Sequence, residues 1–488
     1  MNSFKKLAGE TAIYGMSSIV GRFINWWLVP YYSFIFLTSE YGVVTNLYSY
    51  MAFLLVFLSY GMETGFFRFA SRAEDKERAY SSALISLFGT SMGFLLVVLA
   101  FSKDIAAWID YPDHPEYIQW VALIVVLDTL TAIPFAKLRI ESKAVKFAVL
   151  KFVNIFIIIF LNIFFFSICP SLLKNNPESW VKLIYSPELG VGYVFISNLI
   201  ASVISLILLV PEMIVKLQLD RRLLKEMVWY SFPILIVGVG GIMTQHIDKI
   251  LLPKLLPESQ EPMSQLGIYG ANVKLAVILN MFIQAFRYAF EPFFFSQVKS
   301  EDNKRGYAII MKYFVLFGLS IFLGICLYID LVKLIVDAKY HSGLNVVPII
   351  LMANLFLGIY YTLSLWYKLT DKTRYGAYFS LAGAGISLIL NILFIPQFGY
   401  MASAWAMLIS FVAMVVLSYS FGQKYFPVNY PLKRIGLYFA AALLIYFAAS
   451  LLNLTPSVWM YLIHTLLISL FLLLAFLLER KEIYRFLK

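Results

Sequence analysis

The sequence predicts an all-α integral membrane protein with about 14 transmembrane helices. Of the 488 residues, 61% are hydrophobic and only 14% are charged, whereas soluble domains carry about 25% charged residues. Apolar runs of about 20 residues recur from end to end, and each is long enough to cross a hydrocarbon core of about 30 Å. A membrane β-barrel would show short alternating segments instead, and the sequence has none.

The spans follow one another closely, so we expect no inserted soluble domain. The longest connection, around residues 169–189, is about 20 residues. Lys5 and Lys6 precede the first run as they would in a signal peptide, but the run shows no small-residue cleavage site and is predicted to be retained. With boundaries good to about four residues, the predicted spans are 9–36, 41–67, 80–101, 117–136, 147–168, 190–213, 227–252, 267–295, 307–329, 345–366, 376–395, 400–421, 434–452 and 457–478.

The basic residues lie mostly on one side of these helices. With the N-terminus placed in the cytoplasm, the inner segments hold 29 of the 39 Lys and Arg residues. The positive-inside rule therefore predicts that both termini are cytoplasmic. The net charge of +11 then faces anionic lipids of the inner leaflet, and no nucleic-acid partner is expected.

The chain also contains an internal repeat. The segment INWWLVP at 24–30 resembles IDKILLP at 247–253. In each copy a Tyr-Gly pair follows, and a glutamate lies 22 residues after that tyrosine, at Glu63 and Glu291. The shared order and near-constant spacing predict that helices 1–6 and 7–12 are two copies of one bundle.

This repeat predicts the domain organisation. We expect a six-helix lobe at 1–225, a second at 226–423, and two additional helices with a tail at 424–488. Since six is even, both copies start on the same side, which makes the repeat parallel. Transporters built from such repeats bind their substrate near the midplane, between the two halves.

Helix eight carries the most polar stripe. Asn280, Gln284, Arg287 and Glu291 are spaced 4, 3 and 4 residues apart, so they share one helix face. Pro292 is expected to kink or break the helix just after them. The stripe either lines a water-filled cavity, where Arg287 offers a planar fork to phosphate oxygens, or packs between helices around an Arg287–Glu291 pair.

Two more cations lie inside predicted spans. Arg22 costs about 2.5–3.5 kcal/mol to insert near a helix centre, and it has no acidic residue one turn away. We therefore predict that it faces a ligand, together with Asn25 one turn further on. Lys274 lies roughly 120° around helix eight from the polar stripe, and it either joins the cavity or snorkels to the surface.

Four carboxylates are candidates for ion coupling or gating: Asp128, Asp248, Glu63 and Glu291. Asp128 lies near the middle of helix four, where a desolvated carboxylate can exchange a proton near neutral pH. Its alternative role is to pair with Arg22 or another buried donor. For Asp248 beside Lys249, near the outer end of helix seven, and for Glu63, near the inner end of helix two, the alternative is pairing at the surface or at a gate.

Several motifs resemble the polysaccharide-exporter branch of the multidrug/oligosaccharidyl-lipid/polysaccharide (MOP) transporter superfamily. They are Arg22 in helix one, TSEYG at 38–42, GIYGANVKL at 267–275, and Glu291-Pro292 ahead of aromatic residues. The resemblance implies a flippase that carries polyprenyl-diphosphate-linked oligosaccharides, such as O-antigen or capsule units, across the bacterial inner membrane by alternating access. It implies membrane lipids, a polysaccharide polymerase and glycosyltransferases as partners, and Arg22 as a substrate-binding residue.

Two relatives within the superfamily remain as alternatives. The lipid II flippase branch has an Arg-Asp pair in helix one, whereas Phe23 follows Arg22 here. Drug/cation antiporters depend on acidic residues of the first lobe, and Asp128 suits that function. No cofactor is expected beyond a proton or sodium gradient.

An enzyme is not expected, because the sequence shows no nucleophile–base motif, metal cluster or phosphate-binding glycine loop.

Overall fold

The chain is almost entirely helical. The computed structural model describes residues 15–16, 19–70, 76–296, 302–370, 372–452 and 455–487, and within these ranges it contains no β-strand. The side chains of 288–296, 302–303, 481 and 483–487 are not part of that description. The prediction of an all-α membrane protein is confirmed.

The helices follow the predicted spans closely, and we number them in chain order. They are α1 (19–26 and Leu28–Ile35), α2 (Thr38–Ser59 and Met62–Ala70), α3 (Lys76–Ala100), α4 (Pro115–Ile140), α5 (Ala144–Asn175), α6 (Gly192–Met213), α7 (Arg221–Leu255), α8 (Pro262–Leu275 and Val277–Ser296), α9 (Asp302–Leu327), α10 (Val346–Leu369), α11 (Arg374–Phe398), α12 (Tyr400–Tyr425), α13 (Leu432–Leu451) and α14 (Val458–Leu487).

Among the described residues, twelve helices are long and apolar enough to cross a membrane. The two pieces of α8 pass the same test only together, and they give a thirteenth span. The remaining predicted span is α1, which is described only in part.

A proline explains the interruption of α1, whereas that of α8 has no proline or glycine beside it. In α1 a turn at Trp27 precedes Pro30, whose ring clashes with the carbonyl of the residue four positions earlier in a continuous helix. In α8 the two pieces meet at 45° on either side of Ala276. The predicted break at Pro292 is wrong, because the second piece runs from Val277 to Ser296 without interruption.

The chain forms two compact units, Met1–Gly267 and Ile268–Lys488. In the first unit α4 is the central helix and packs against α2, α3 and α6. In the second unit α10 is central and packs against α8, α9 and α12. Within the most apolar 18-residue window of each helix, 72% of the residues of α4 and 78% of those of α10 are buried. Each is the fourth helix of a predicted repeat, so the repeat and the packing agree.

The boundary between the units lies inside α8, not at the predicted repeat junction near residue 225. The reason is that α7 packs along α2 and α3 within the first unit. The start of α8 also crosses α2 closely, since a Cβ atom added to Gly42 would collide with the carbonyl of Met263, and one added to Gly267 with the carbonyl of Thr38. The three-part division at 225 and 423 rests on the repeat alone and stays a prediction.

Candidate functional site

In the first unit, Arg22 and Asn25 lie on α1, where Arg22 is exposed. The exposed apolar residues Val20, Phe23 and Trp27 are spaced 3 and 4 apart and form a lipid-facing stripe on the same helix. Arg22 and Asn25 lie roughly 130° and 170° around the helix from that stripe. The two polar side chains are exposed and lie on a different face of α1 from this apolar stripe.

This open face ends within one turn. Trp26 and Val29, each four residues beyond Arg22 and Asn25, are buried. Within the described part of the chain, no side chain forms a hydrogen bond or ion pair with Arg22. The ligand-facing role of Arg22 stays a prediction.

In the second unit, the α8 stripe lies against α10. Gln284 is half-buried, and the guanidinium of Arg287 lies 4.2 Å from the ring centre of Tyr361 on α10. This cation–π contact fixes the guanidinium against α10. The predicted Arg287–Glu291 pair falls on a side chain outside the described residues. Lys274 is exposed and lies on the other side of the α8 interruption.

Asp128 belongs to a polar network inside the first unit. Ser202 on α6 donates a hydrogen bond to its Oδ1 at 2.8 Å, and Lys151 on α5 lies close enough for the two charges to interact. Nearby, the Asn154 side chain bonds Ser205 at 2.9 Å. Among the described residues, Asp128 has these partners and makes no contact with Arg22, so the predicted pairing with Arg22 is unsupported. The coupling role of Asp128 stays a prediction.

Sequence reasoning missed Lys151. It lies seven residues after the start of α5, and the count of Lys and Arg residues on each side of the membrane assigned it to an inner loop. Its Nζ lies 3.9 Å from the ring centre of Phe135, which is a cation–π contact. A lysine well inside an apolar run is the signal that could have identified it.

The remaining predicted carboxylates are paired differently. Glu63 accepts a hydrogen bond from Arg139 at 2.7 Å, and both side chains are partly exposed. Asp248 and Lys249 are both buried, with Nζ 3.0 Å from Oδ1, so they do not pair at the surface, and pairing at a gate stays a prediction. The physical reason is the packing of α7 on α2, where the Asn46 amide donates to the carbonyl of Lys249 at 2.8 Å.

A family model described as "Polysaccharide biosynthesis protein" matches residues 35–344, well over half of the chain. The chain belongs to this family. The resemblance to the polysaccharide-exporter branch of the MOP superfamily is thereby confirmed. No curated protein matches the sequence.

Solved structures share the fold at low sequence identity. The lipid II flippase MurJ in an inward closed conformation has a TM-score of 0.73 at 15% identity, covering 96% of this chain and 99% of that one. An inward-facing multidrug resistance MATE family transporter has a TM-score of 0.64 at 10% identity, covering 85% and 94%. The MATE multidrug transporter DinF-BH has a TM-score of 0.61 at 14% identity, covering 85% and 95%.

These similarities establish a multi-pass membrane protein with a MOP superfamily fold. A flippase and multidrug transporters both appear among the neighbours, so the fold by itself does not select the substrate. The extent of the match is informative: nearly the whole chain aligns with MurJ, whereas 85% aligns with each of these two MATE transporters. MurJ therefore aligns with more of this chain than either of these two MATE transporters does.

Proposed function

We propose that the protein flips a polyprenyl-diphosphate-linked oligosaccharide from the cytoplasmic to the outer leaflet of the bacterial inner membrane, for a surface polysaccharide such as O-antigen or capsule. The observation that carries this proposal is the family match over residues 35–344. The role is transport without catalysis, with both termini in the cytoplasm. The polymerase and glycosyltransferases that make and use the oligosaccharide are its proposed partners.

The charged part of the substrate requires cations that water can reach. Arg22 supplies one on α1, with the Asn25 amide beside it for hydroxyl or phosphate oxygens. Arg287 on α8, whose guanidinium lies against Tyr361, is a separate candidate of the second unit. A guanidinium can donate two parallel hydrogen bonds to a phosphate, which makes arginine well suited to hold a diphosphate.

The lipid part requires an apolar surface. The second unit has a cavity of about 260 Å³ between α9, α10, α12 and α13, lined by apolar and aromatic residues that include Val315, Phe356, Ile359 and Val416. Such a lining suits isoprene units and offers little to a hydrophilic drug. It supports a substrate that is part polar and part hydrocarbon.

An ion gradient is the proposed source of energy. Asp128 is the candidate coupling group, since it is a carboxylate within a spanning helix with one hydroxyl and one cationic neighbour. This network also favours a second candidate function, drug/cation antiport, in which Asp128 would exchange a cation for a substrate. The two functions differ in what accumulates when the protein is removed.

The test is a leaflet assay on depleted cells. Depletion should cause a complete oligosaccharide-linked polyprenyl diphosphate to accumulate on the cytoplasmic leaflet, and the native protein should reverse this. Arg22→Ala should fail to reverse it, whereas Arg222→Ala, a matched control at an exposed arginine on α7, should succeed. Failure to accumulate the lipid, together with new sensitivity to cationic dyes, would favour the antiporter.

A further inference from the structure

Three lysines converge on one buried carboxylate at the basic end of the first unit. The Glu212 side chain is 7% exposed, and its oxygens lie 2.7 Å from Nζ of Lys146, 3.2 Å from Lys137 and 3.6 Å from Lys143. Lys137 also donates to the backbone carbonyl of Glu212 at 3.0 Å. One carboxylate therefore holds three ammonium groups and neutralises only one of them.

The ion pairs around this group leave a surplus of positive charge. Glu141 pairs with Lys143 at 2.8 Å and with Lys76 at 3.7 Å, and Glu63 pairs with Arg139 on the adjoining helix end. Among the residues that the structure describes, five bases thus face three acids. The hydrogen bond to Glu141 and the charge of Glu212 raise the pKa of Lys143, so it stays charged at every physiological pH.

The surplus charge is accessible at two positions. The Lys143 and Lys146 side chains are 46% and 42% exposed, whereas that of Lys137 is 18% exposed. Lys137 therefore serves as the inner anchor of Glu212, and the other two lysines present charge to the surroundings. Since Glu212 fixes their ends, these lysines lose little side-chain entropy when they bind a further anion.

A lipid-facing stripe starts beside these lysines. Val145, Val149, Phe156 and Phe160 are exposed and spaced 4, 7 and 4 residues apart, so they share one face of α5. Only 22% of the apolar window of α5 is buried within the protein. In a membrane this face contacts hydrocarbon chains, and its lysine end meets the head groups.

We propose that Lys143 and Lys146, held by Glu212, bind the phosphate of a membrane lipid whose hydrocarbon chain lies along the exposed face of α5. The net charge of about two units matches a phosphate or diphosphate group. Two sources share this chemistry, an anionic phospholipid of the leaflet and the diphosphate of a lipid-linked saccharide. The site requires only a lipid phosphate, so it does not rest on the proposed transport function.

The test is native mass spectrometry of the full chain in detergent with three lipid probes. These are phosphatidylglycerol, a long-chain polyprenyl diphosphate and phosphatidylcholine, each at equal concentration. At least one of the two anionic probes should bind more tightly than phosphatidylcholine. Lys143→Ala/Lys146→Ala should weaken that binding about three- to tenfold, as expected for the loss of two partly exposed charge contacts.

Matched variants separate charge from folding. Lys174→Ala/Lys182→Ala removes two exposed lysines, one in the last turn of α5 and one beyond it, and should leave binding unchanged. Lys143→Arg/Lys146→Arg keeps both charges and should retain it. If the double alanine variant does not fold, Lys143→Gln, which leaves Glu212 paired with Lys137 and Lys146, should still weaken binding.

The outcomes distinguish the two sources and can overturn the site. Preference for phosphatidylglycerol alone would assign the site to leaflet phospholipid, and preference for the polyprenyl diphosphate alone would assign it to a lipid-linked saccharide. Equal binding of all three probes, or unchanged binding in both Lys143→Ala/Lys146→Ala and Lys143→Gln, would refute the proposal.

Discussion

Replacing Lys312 with methionine should destabilise the attachment of the last two helices. The Lys312 side chain on α9 is 2% exposed, and its ammonium contacts Glu479 and, at 2.6 Å, Glu482, both on α14. Arg434 on α13 lies 3.3 Å from Glu479, and the Tyr438 hydroxyl donates to Glu479 at 2.5 Å. Among the described side chains, two cations and two carboxylates thus balance in a cluster that joins α9, α13 and α14, in which Lys312 and Glu479 are buried and Arg434 and Glu482 partly exposed.

The size of the effect follows from burial. Glu479 is 1% exposed, so Lys312→Met leaves a buried carboxylate with one cation fewer. Removing one partner of a buried pair costs about 3–5 kcal/mol, whereas removing both charges is often close to neutral. We therefore expect Lys312→Met to lower the free energy of unfolding by that amount, and Lys312→Met/Glu479→Gln to recover at least half of it.

Denaturant titration in mixed micelles, followed by circular dichroism, measures the free energy of unfolding of the single and the double variant. Lys433→Met, at an exposed lysine on α13, is the matched control and should change the free energy of unfolding by less than about 0.5 kcal/mol. If Lys312→Met unfolds like the native protein, the cluster does not hold the two additional helices. A double variant less stable than the single one would show that the carboxylate, not the charge balance, is what stabilises the contact.

Three further predictions concern transport and the helix crossing. Arg287→Ala should abolish export at normal protein level, since it removes the α8 cation held against Tyr361, and normal export in a complementation assay would remove this residue from the site. Asp128→Asn should make transport in vesicles insensitive to an imposed proton or sodium gradient, and an unchanged gradient response would exclude the coupling role. Thr38→Cys/Ser264→Cys should form a disulfide, since the native hydroxyls of Thr38 and Ser264 lie 2.7 Å apart. Adding Gly267→Val should lower the yield of this disulfide, because a Cβ at Gly267 meets the Thr38 carbonyl. An unchanged yield would contradict the tight crossing of α8 and α2.

Helix positions could be predicted from the sequence because hydropathy is a local property. The span predicted at 400–421 is helical over Tyr400–Tyr425, and the one predicted at 376–395 is helical over Arg374–Phe398. The polar ends of these runs extend each helix beyond its apolar stretch, since backbone hydrogen bonding continues into the head-group region.

Long-range ion pairs could not be predicted in the same way. Lys137, Lys143 and Lys146 look like loop charges in the sequence, and nothing local indicates that they meet at Glu212, which lies 66 residues beyond Lys146. Lys312 and Glu479 are 167 residues apart. Such contacts arise from the packing of helices that are distant in sequence.

The burial of individual side chains could not be predicted from the sequence either, because it depends on how closely the helices pack. Asp248 and Lys249 look like a surface pair in the chain but are enclosed by α2. The interruption of α8 at Ala276 has no proline or glycine beside it, and no sequence signal predicted it.

The proposed role of Arg22 is to hold the diphosphate of a lipid-linked oligosaccharide during flipping. It can be tested by the rate at which a fluorescent polyprenyl-diphosphate saccharide crosses the bilayer of vesicles containing the purified protein. We expect transport by the native protein and by Arg222→Ala, severe loss with Arg22→Ala, and partial activity with Arg22→Lys, which keeps the charge but not the fork. Equal rates for the native protein and Arg22→Ala would contradict it.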